Sequence, residues 1–176
     1  MSSPQPKLLT HREFFNNMCI RRKHTWKTTE NDLDKCLLDM LDACKYALSP
    51  VYILLISNFA NTFFVTYIGG TKPAGFLIGD IDEATKRAFV YVLCSSYGKG
   101  VGTSTFEAFE MAALEKGVNV IEVEAIPSSR DFYLKKGFKE RARPDPSTKF
   151  AKVIMYIASF VKKSPGSYHM KKVYRR

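Results

Sequence analysis

Three glycines at alternate positions, Gly98, Gly100 and Gly102, have the spacing in this chain that is most able to support chemistry. Glycine allows positive φ angles and close approach of the backbone to a ligand. Where such a turn precedes a helix, backbone N–H groups lie beside the positive end of the helix dipole and can bind a phosphate or pyrophosphate. The alternative is a tight turn that needs glycine for its backbone geometry alone, and the spacing by itself favours neither.

Two regular elements must hold this glycine loop, residues 95–104, in position. Residues 87–94 are apolar, aromatic and β-branched, which predicts a strand before the loop. Apolar side chains recur at helical spacing over residues 103–116, which predicts an amphipathic helix after it. Residues 118–125 predict a second strand, so the loop lies inside a βαβ unit with parallel strands.

The rest of the chain predicts further helices and an antiparallel meander. Thr10 and Glu13 have the spacing of a capping box, which predicts a short helix over residues 10–18. Residues 51–70 form a long apolar run, but polar residues interrupt it and β-branched and aromatic residues dominate, so we expect a β-hairpin and not a membrane span. The other predicted elements are a helix from residue 29 or 31 to 48, strands at 74–81 and 151–158, a short helix at 128–136 ended by Gly137, and an edge strand that begins at Phe138.

The composition fits one domain with a basic surface. A chain of 176 residues can bury a sizeable core, and 27 Lys and Arg against 17 Asp and Glu leave a net charge of +10. That charge favours anionic partners: a phosphorylated cofactor, an acidic protein surface or nucleic acid. We expect residues 1–161 to form a single domain, with residues 1–7 flexible and residues 162–176 a basic tail.

Location, redox state and metal content are predicted from signals that the sequence lacks. The N-terminus carries no apolar signal-peptide region, so we expect an intracellular, cytoplasmic protein without membrane attachment. No CxxC pair occurs among the cysteines, which predicts reduced thiols. The histidines His11, His24 and His169 are scattered along the chain and predict no metal site.

Two familiar nucleotide-binding loops do not fit the glycine loop. The Walker A pattern requires a Gly-Lys-Ser/Thr ending, and Lys99 is not placed for it. The Rossmann pattern Gly-x-Gly-x-x-Gly has Thr103 here where its third glycine belongs. Rossmann folds also repeat the βαβ unit, whereas here a predicted meander precedes the loop and no second unit follows.

The loop does resemble that of the GNAT superfamily of acyl-CoA-dependent N-acyltransferases. The family signature, Gln/Arg-x-x-Gly-x-Gly/Ala between the fourth strand and the next helix, is similar to Tyr97-Gly98-Lys99-Gly100-Val101-Gly102, with Tyr97 in place of Gln or Arg. A second signature, a short helix that ends in Tyr-x-x-x-Gly-Phe, is matched by residues 133–138. The resemblance is specific from about Arg87 to Phe138 and weak before residue 50. It implies an α/β (α+β) fold with a mixed, mostly antiparallel central sheet, a splayed parallel strand pair and helices on both faces.

The resemblance also implies an activity and its residues. The implied reaction is direct transfer of an acetyl group from acetyl-CoA to a primary amine in a ternary complex, with no metal. Tyr133 would be the general acid that protonates the thiolate, and Glu122 the possible general base, with Glu124 or water as alternatives. The implied cofactor-binding residues are Val92, Leu93, Cys94, Ser95, Tyr97, Gly98, Lys99, Gly100, Val101, Gly102 and Thr103.

The acceptor and a competing class of function stay open at this point. A small amine or polyamine would require acidic residues at the acceptor site, whereas a protein acceptor would require an open groove. Candidate acidic residues are Asp80, Asp82, Glu83, Glu122 and Glu124. The alternative function is a non-catalytic GNAT-fold module that binds nucleic acid or an acidic protein through its basic termini.

Overall fold

One mixed sheet runs through the part of the chain that the structure, a computed structural model, describes: residues 3–17, 50–69, 72–95, 100–141 and 168–174. The strands are β1 (Gln5–Leu9), β2 (Thr62–Ile68), β3 (Lys72–Asp82), β4 (Arg87–Ser95), β5 (Val120–Ala125), β6 (Lys139–Glu140) and β7 (Tyr168–Val173). The helices are α1 (His11–Asn17), α2 (Pro50–Ser57), α3 (Val101–Glu115) and α4 (Arg130–Lys135), and a 3-10 turn (Pro127–Ser129) leads into α4. The strand order is β1-β2-β3-β4-β5-β7-β6, and only β4 and β5 are parallel.

The parallel pair separates partway along its length. Pairing of β4 with β5 begins at Arg87 with Val120 and ends at Val90 with Val123. Both strands continue beyond that point, β4 as far as Ser95. The predicted splayed pair is therefore confirmed, and the gap opens toward the glycine loop.

Helices cover both faces of the sheet, as predicted. Phe14 of α1 and Ile56 of α2 pack on one face, with Phe63 and Phe76 of the sheet beneath them. Helix α3 covers the opposite face, where Phe106 and Phe109 enter a second core. We call these the α1/α2 face and the α3 face. Both cores are rich in phenylalanine, and burial of such large side chains stabilises the fold.

Most predicted elements around the glycine loop are confirmed, with shifts of one to three residues at their ends. The capping box forms as expected, because Thr10 N donates to Glu13 Oε2 (2.8 Å) and Glu13 N donates to Thr10 Oγ1 (3.2 Å). Gly137, with φ +85°, ends α4 in the left-handed conformation that favours glycine. Strand β6 lies at the edge of the sheet. The predicted helix that ends at residue 48 and the predicted strand 151–158 fall outside the described residues.

The predicted hairpin over residues 51–70 is wrong in its first half. Helix α2 occupies Pro50–Ser57, and only β2 is a strand. Proline is favoured at the start of a helix, and the Ser57 hydroxyl donates to Ile53 O (2.7 Å), one helical turn back. The periodicity of a short apolar run does not distinguish a buried helix from a buried strand. The prediction therefore depended on the β-branched residues, which favoured a strand. No helix among the described residues is long and apolar enough to cross a membrane.

The predicted flexible start and the predicted basic tail each contribute a strand to the sheet. Residues Gln5–Leu9 pair with β2, although residues 1–7 were expected to be flexible. Strand β7, inside the predicted tail at 162–176, lies between β5 and β6. The segment was predicted as a tail because it is rich in lysine and arginine. In the structure, Lys172 Nζ donates a hydrogen bond to Glu110 Oε1 (2.6 Å), and His169 and Met170 are buried. Residues 168–173 of the predicted basic tail are therefore part of the sheet.

Candidate functional site

The end of the glycine loop forms the start of α3. Gly100 adopts φ +68°, a left-handed conformation, and is the N-cap of the helix. The first intrahelical bond runs from Ser104 N to Gly100 O (2.9 Å). The N–H groups of Val101, Gly102 and Thr103 therefore have no partner within the helix and lie at its positive end. Tyr97, Gly98 and Lys99 fall outside the described residues.

Close backbone packing fixes this helix start against the sheet. A Cβ atom at Gly102 would lie 2.7 Å from Ser95 Oγ. A Cβ atom at Gly75 of β3 would lie 2.7 Å from both Cys94 O and Val101 Cγ1. Glycine at these positions lets the end of β4 and the first turn of α3 pack in direct contact.

A buried pair of hydroxyl groups anchors the first turn of α3 to β2. The Thr105 hydroxyl donates to Val101 O (2.7 Å), and the Thr66 and Thr105 hydroxyl oxygens lie 2.5 Å apart. A hydroxyl has one hydrogen, so Thr66 is the donor in the second bond. This connection holds α3, and with it the N–H groups at its start, in a fixed position over the sheet.

Tyr133 of α4 is buried on the α3 face, with 3% of its surface exposed. Its ring makes edge contacts with Phe106, Phe132 and Phe138, at centroid distances of 6.1, 5.1 and 5.3 Å. Burial raises the pKa of the phenol well above its usual value, so the hydroxyl is protonated at neutral pH. Phe138 N donates to Tyr133 O (3.0 Å), which explains how the Gly-Phe part of the signature closes the helix.

Glu122 is a buried carboxylate on β5, with 1% of its surface exposed. Its Oε1 atom accepts a hydrogen bond from the Arg87 guanidinium, and its Oε2 atom lies 3.3 Å from His169 Nε2. It is in register with Phe89, where β4 and β5 are still paired. The ion pair with Arg87 favours the ionised carboxylate. The sequence indicated Glu122 as a candidate general base but did not indicate Arg87 or His169 as its neighbours.

Glu124 and His169 lie just beyond the point of strand separation. Glu124 is the residue after Val123, the last residue of β5 that pairs with β4, and it is in register with His169 of β7. Burial lowers the pKa of His169, and the charge of Glu124 raises it in part. His169 was missed because its segment was interpreted as a tail. In the structure Tyr168 is exposed, and His169 and Met170 are buried.

Two tyrosines extend this polar group across the α1/α2 face. Burial and then the charge of Glu124 raise the pKa of Tyr52 to about 12. Burial raises the pKa of Tyr91, with smaller effects from Asp80 and Tyr52. Asp80, Tyr91, Glu124 and Tyr52 are therefore neighbours. Asp82 and Glu83, in contrast, lie at the turn after β3, where Asp82 accepts from Ala84 N and Thr85 N and Glu83 pairs with Lys116.

The structure thus places the two predicted catalytic side chains on opposite sides of the sheet. Tyr133 belongs to the core of the α3 face, whereas Glu122 is in register with Phe89 of the α1/α2 face. The predicted pantetheine-binding residues, Val92, Leu93, Cys94 and Ser95, all lie on β4 beyond the separation.

Cysteine and metal chemistry complete the description of the site. Cys94 is disulfide-bonded, so the expectation of reduced thiols is wrong for this cysteine. Among the described residues, no group of three or more His, Cys, Asp and Glu side chains can hold a metal ion.

Comparison with known proteins identifies the family. The model of the acetyltransferase (GNAT) domain family matches residues 55–156, more than half of the chain, so this protein belongs to the GNAT acetyltransferase family. No curated protein sequence matches the chain. Among solved structures, one similar fold is the GCN5 histone acetyltransferase catalytic domain of Tetrahymena in complex with coenzyme A (14% identity, 98% of this chain, 94% of that chain, TM-score 0.57).

Two further structures share this fold. The PaiA N-acetyltransferase of Thermoplasma acidophilum, in complex with coenzyme A, is 17% identical over 98% of this chain and 99% of its own, with a TM-score of 0.56. The IAA acetyltransferase of Bacillus cereus is 13% identical over 97% of this chain and 99% of its own, with a TM-score of 0.60. At these identities the likeness concerns the fold.

Proposed function

We propose that this protein transfers an acetyl group from acetyl-CoA to a primary amine in a ternary complex. Its family and its coenzyme A-bound structural neighbours support acetyl transfer from acetyl-CoA. The observation that carries the proposal is the separation of β4 from β5 after Val90 and Val123, next to the glycine-rich start of α3. A gap between two strands beside a helix N-terminus can hold a long ligand that ends in a phosphate group.

The chain offers groups that fit the parts of acetyl-CoA. The N–H groups of Val101, Gly102 and Thr103 suit the pyrophosphate, and the backbone of residues 92–95, beyond the ladder with β5, suits the amides of pantetheine. The space beside the Gly100 Cα atom is open to a ligand, since a Cβ atom there would meet nothing within 4 Å. We propose that Tyr97, Gly98 and Lys99 complete this site.

When bound, acetyl-CoA supplies an acetyl carbon open to attack and a sulfur that leaves. In the proposed reaction, the amine loses a proton, its nitrogen forms the C–N bond, and the C–S bond breaks with its electrons on sulfur. Tyr133 would donate a proton to that sulfur. A phenol is protonated at neutral pH, as a general acid must be.

Glu122 is the proposed general base. Because Arg87 occupies its Oε1 atom, the Oε2 atom, which faces His169, is the one placed to receive a proton. Three carboxylates, those of Asp80 on β3 and of Glu122 and Glu124 on β5, project to the α1/α2 face on either side of β4. This negative charge favours a cationic acceptor such as a polyamine.

Two measurements test the proposed function. Acetyl-CoA at 100 times its Kd is expected to stabilise the protein by about 2.7 kcal/mol, which appears as a raised Tm. An acetyl-CoA consumption screen over polyamines, aminoglycosides, amino acids and basic peptides should then identify the acceptor. Absence of any Tm shift at millimolar acetyl-CoA contradicts the proposal. A Tm shift without transfer to any amine supports the non-catalytic alternative.

Tyr133→Phe tests the proposed acid within an active enzyme. Loss of the phenol proton is expected to lower kcat by roughly 10²–10⁴-fold with little change in KM. Tyr67→Phe is the matched control, because Tyr67 lies on β2, two strands away from β4 and the gap. Equal kcat values for Tyr133→Phe and the control would remove Tyr133 from the mechanism.

A further inference from the structure

We propose that the acceptor amine also carries an anionic group, a carboxylate or a phosphate, which binds to a cationic cluster formed by Lys139, Arg141 and Lys171. The inference rests on the proposed acetyl transfer and refines its acceptor. The ammonium end of the acceptor lies at the carboxylates beside the gap, and its anionic end lies over β7 and β6. The acceptor class is then a zwitterion, with a primary amine at one end and an acid at the other.

The strand register brings the three cations to one face of the sheet. Lys139 of β6 is directly opposite Lys171 of β7, and Lys171 is directly opposite Glu122 of β5. Directly opposed residues of neighbouring strands project to the same face, so both lysines share the α1/α2 face with Glu122. Arg141 follows Lys139 by two residues and continues the pairing, because its N–H donates to His169 O (3.0 Å). Its side chain therefore projects to the same face as that of Lys139.

The positive charges of the cationic cluster act on one another. Burial lowers the pKa of Lys171 most, and the charges of Arg87 and Arg141 lower it further. Lys139 and Arg141 are exposed, whereas Lys171 is partly buried. These groups are therefore neighbours at the surface of the α1/α2 face. An anion that lies over them is attracted by all of them.

The nearby carboxylates do not neutralise the cationic cluster. Glu140 projects to the opposite face of the sheet, where it pairs with Arg130. Glu122 pairs with Arg87. Within the described part of the chain, no ion pair involves a member of the cluster. The cluster therefore keeps its positive charge for a ligand.

Protection of the sheet edge does not explain the whole cluster. Lysine and arginine on an edge strand prevent pairing with other chains, which accounts for Lys139 and Arg141. Lys171 is not at the edge, because β7 lies between β5 and β6. Directly opposed like charges, such as Lys139 and Lys171, destabilise a sheet. Proteins keep locally unfavourable residues mainly at functional sites, so the cluster is assigned to binding.

The cluster lies beside the gap, on the face that carries the proposed base. Arg141 is bonded to His169, which is in register with Glu124, one residue beyond the last pair of β4 with β5. Neighbouring strands lie roughly 4.8 Å apart, so β6 lies roughly 10 Å from β5. An acceptor whose amine reaches the gap can thus place its anionic group on the cluster when several carbon atoms separate the two groups.

The test compares acceptors that differ in the anionic group. ε-Aminocaproate and hexylamine have the same number of carbon atoms, and only the first carries a carboxylate. For the wild type we expect kcat/KM to be roughly 10–100-fold higher for ε-aminocaproate, because hydrogen bonds to charged groups are strong. Aminohexyl phosphate, measured in parallel, shows whether a phosphate or a carboxylate is preferred.

This comparison separates the inference from the proposed function. Equal kcat/KM values for hexylamine and both anionic acceptors overturn the inference and leave the proposed acetyl transfer intact. Failure to acetylate every amine instead overturns the proposed function and the inference together.

Substitutions in the cluster connect the preference to these side chains. Arg141→Gln and Lys139→Gln should each reduce the ratio of the two kcat/KM values toward one, mainly through KM for ε-aminocaproate. Arg141→Glu should shift the preference from ε-aminocaproate toward hexamethylenediamine. Lys7→Gln is the control, because Lys7 is exposed on β1, at the other edge of the sheet. A wild-type ratio in both Arg141→Gln and Lys139→Gln overturns the inference.

Lys139→Glu adds a measurement that does not depend on turnover. The change replaces a like-charge pair with an opposite-charge pair across from Lys171, so we expect a higher midpoint of urea unfolding. The same variant should lose the preference for ε-aminocaproate over hexylamine. A cluster that serves binding is thus expected to trade stability for acceptor affinity. A lowered midpoint, or an unchanged preference, overturns the inference.

Discussion

The Cα atom of Gly102 packs against the Ser95 side chain so closely that a Cβ atom at residue 102 would lie 2.7 Å from Ser95 Oγ. This contact joins the last residue of β4 to the first turn of α3, across the glycine loop. The loop therefore has a structural requirement for glycine in addition to its proposed role at the pyrophosphate. The two hypotheses that the sequence left open, tight turn and anion-binding site, are compatible in one structure.

Gly102→Ala tests this contact. The new methyl group must displace the Ser95 hydroxyl, and we expect a loss of about 1 kcal/mol in the free energy of unfolding and a smaller Tm shift with acetyl-CoA. In a Ser95→Ala background the same change should be neutral or stabilising by up to about 1 kcal/mol, because alanine favours the helix. Urea unfolding of the four proteins measures this. Equal effects in the two backgrounds would contradict the contact.

Gly100→Ala separates backbone strain from steric contact. Gly100 has φ +68°, and a Cβ atom there would meet nothing within 4 Å. We expect a loss of roughly 1–2 kcal/mol from strain alone, measured by urea unfolding. Gly100→Asn should cost less, since asparagine tolerates the left-handed region. An alanine variant as stable as the wild type would mean that this glycine is not required for the turn.

Thr66 and Thr105 provide a double-mutant cycle for the attachment of α3 to β2. Thr105→Val removes both hydroxyl bonds and leaves the buried Thr66 hydroxyl without its acceptor, so we expect a loss of about 1–3 kcal/mol. Thr66→Val leaves the bond from Thr105 to Val101 O in place and should cost less. The double variant should cost less than the sum of the two. Strict additivity, measured by denaturant unfolding, would show that the hydroxyls do not interact.

Local signals account for the parts that the sequence predicted well. The glycine loop, the βαβ unit and the match at residues 133–138 each depend on residues close together in the chain. Gly137 and the Thr10–Glu13 capping box are also local, and the structure confirms both. Such features can be recognised because the same few residues determine both pattern and conformation.

Nonlocal pairing accounts for what the sequence did not predict. Strand β7 pairs with β5 across more than 40 intervening residues, so the neighbours of Glu122 cannot be inferred from its own segment. Glu122 was identified from the pattern around it, but Arg87 and His169 come from other strands. Helix α2 was predicted as a strand because residue preference is weak in a short buried run. The assignment of roles to Tyr133 and Glu122 remains a prediction.

His169→Gln tests the charge state of this histidine through the pH dependence of stability. Burial lowers the pKa of His169 in the folded protein, so below pH 6.5 the unfolded chain binds the proton more readily than the folded one. The stability contributed by neutral His169 is therefore present above about pH 6.5 and is lost as pH falls through the folded-state pKa. We expect the free energy of unfolding of the wild type to fall more steeply between pH 7 and pH 5 than that of His169→Gln. Glu124→Gln should steepen the fall, because Glu124 raises this pKa. His11→Gln is the control, and identical slopes for the wild type and His169→Gln would show that His169 does not titrate as described.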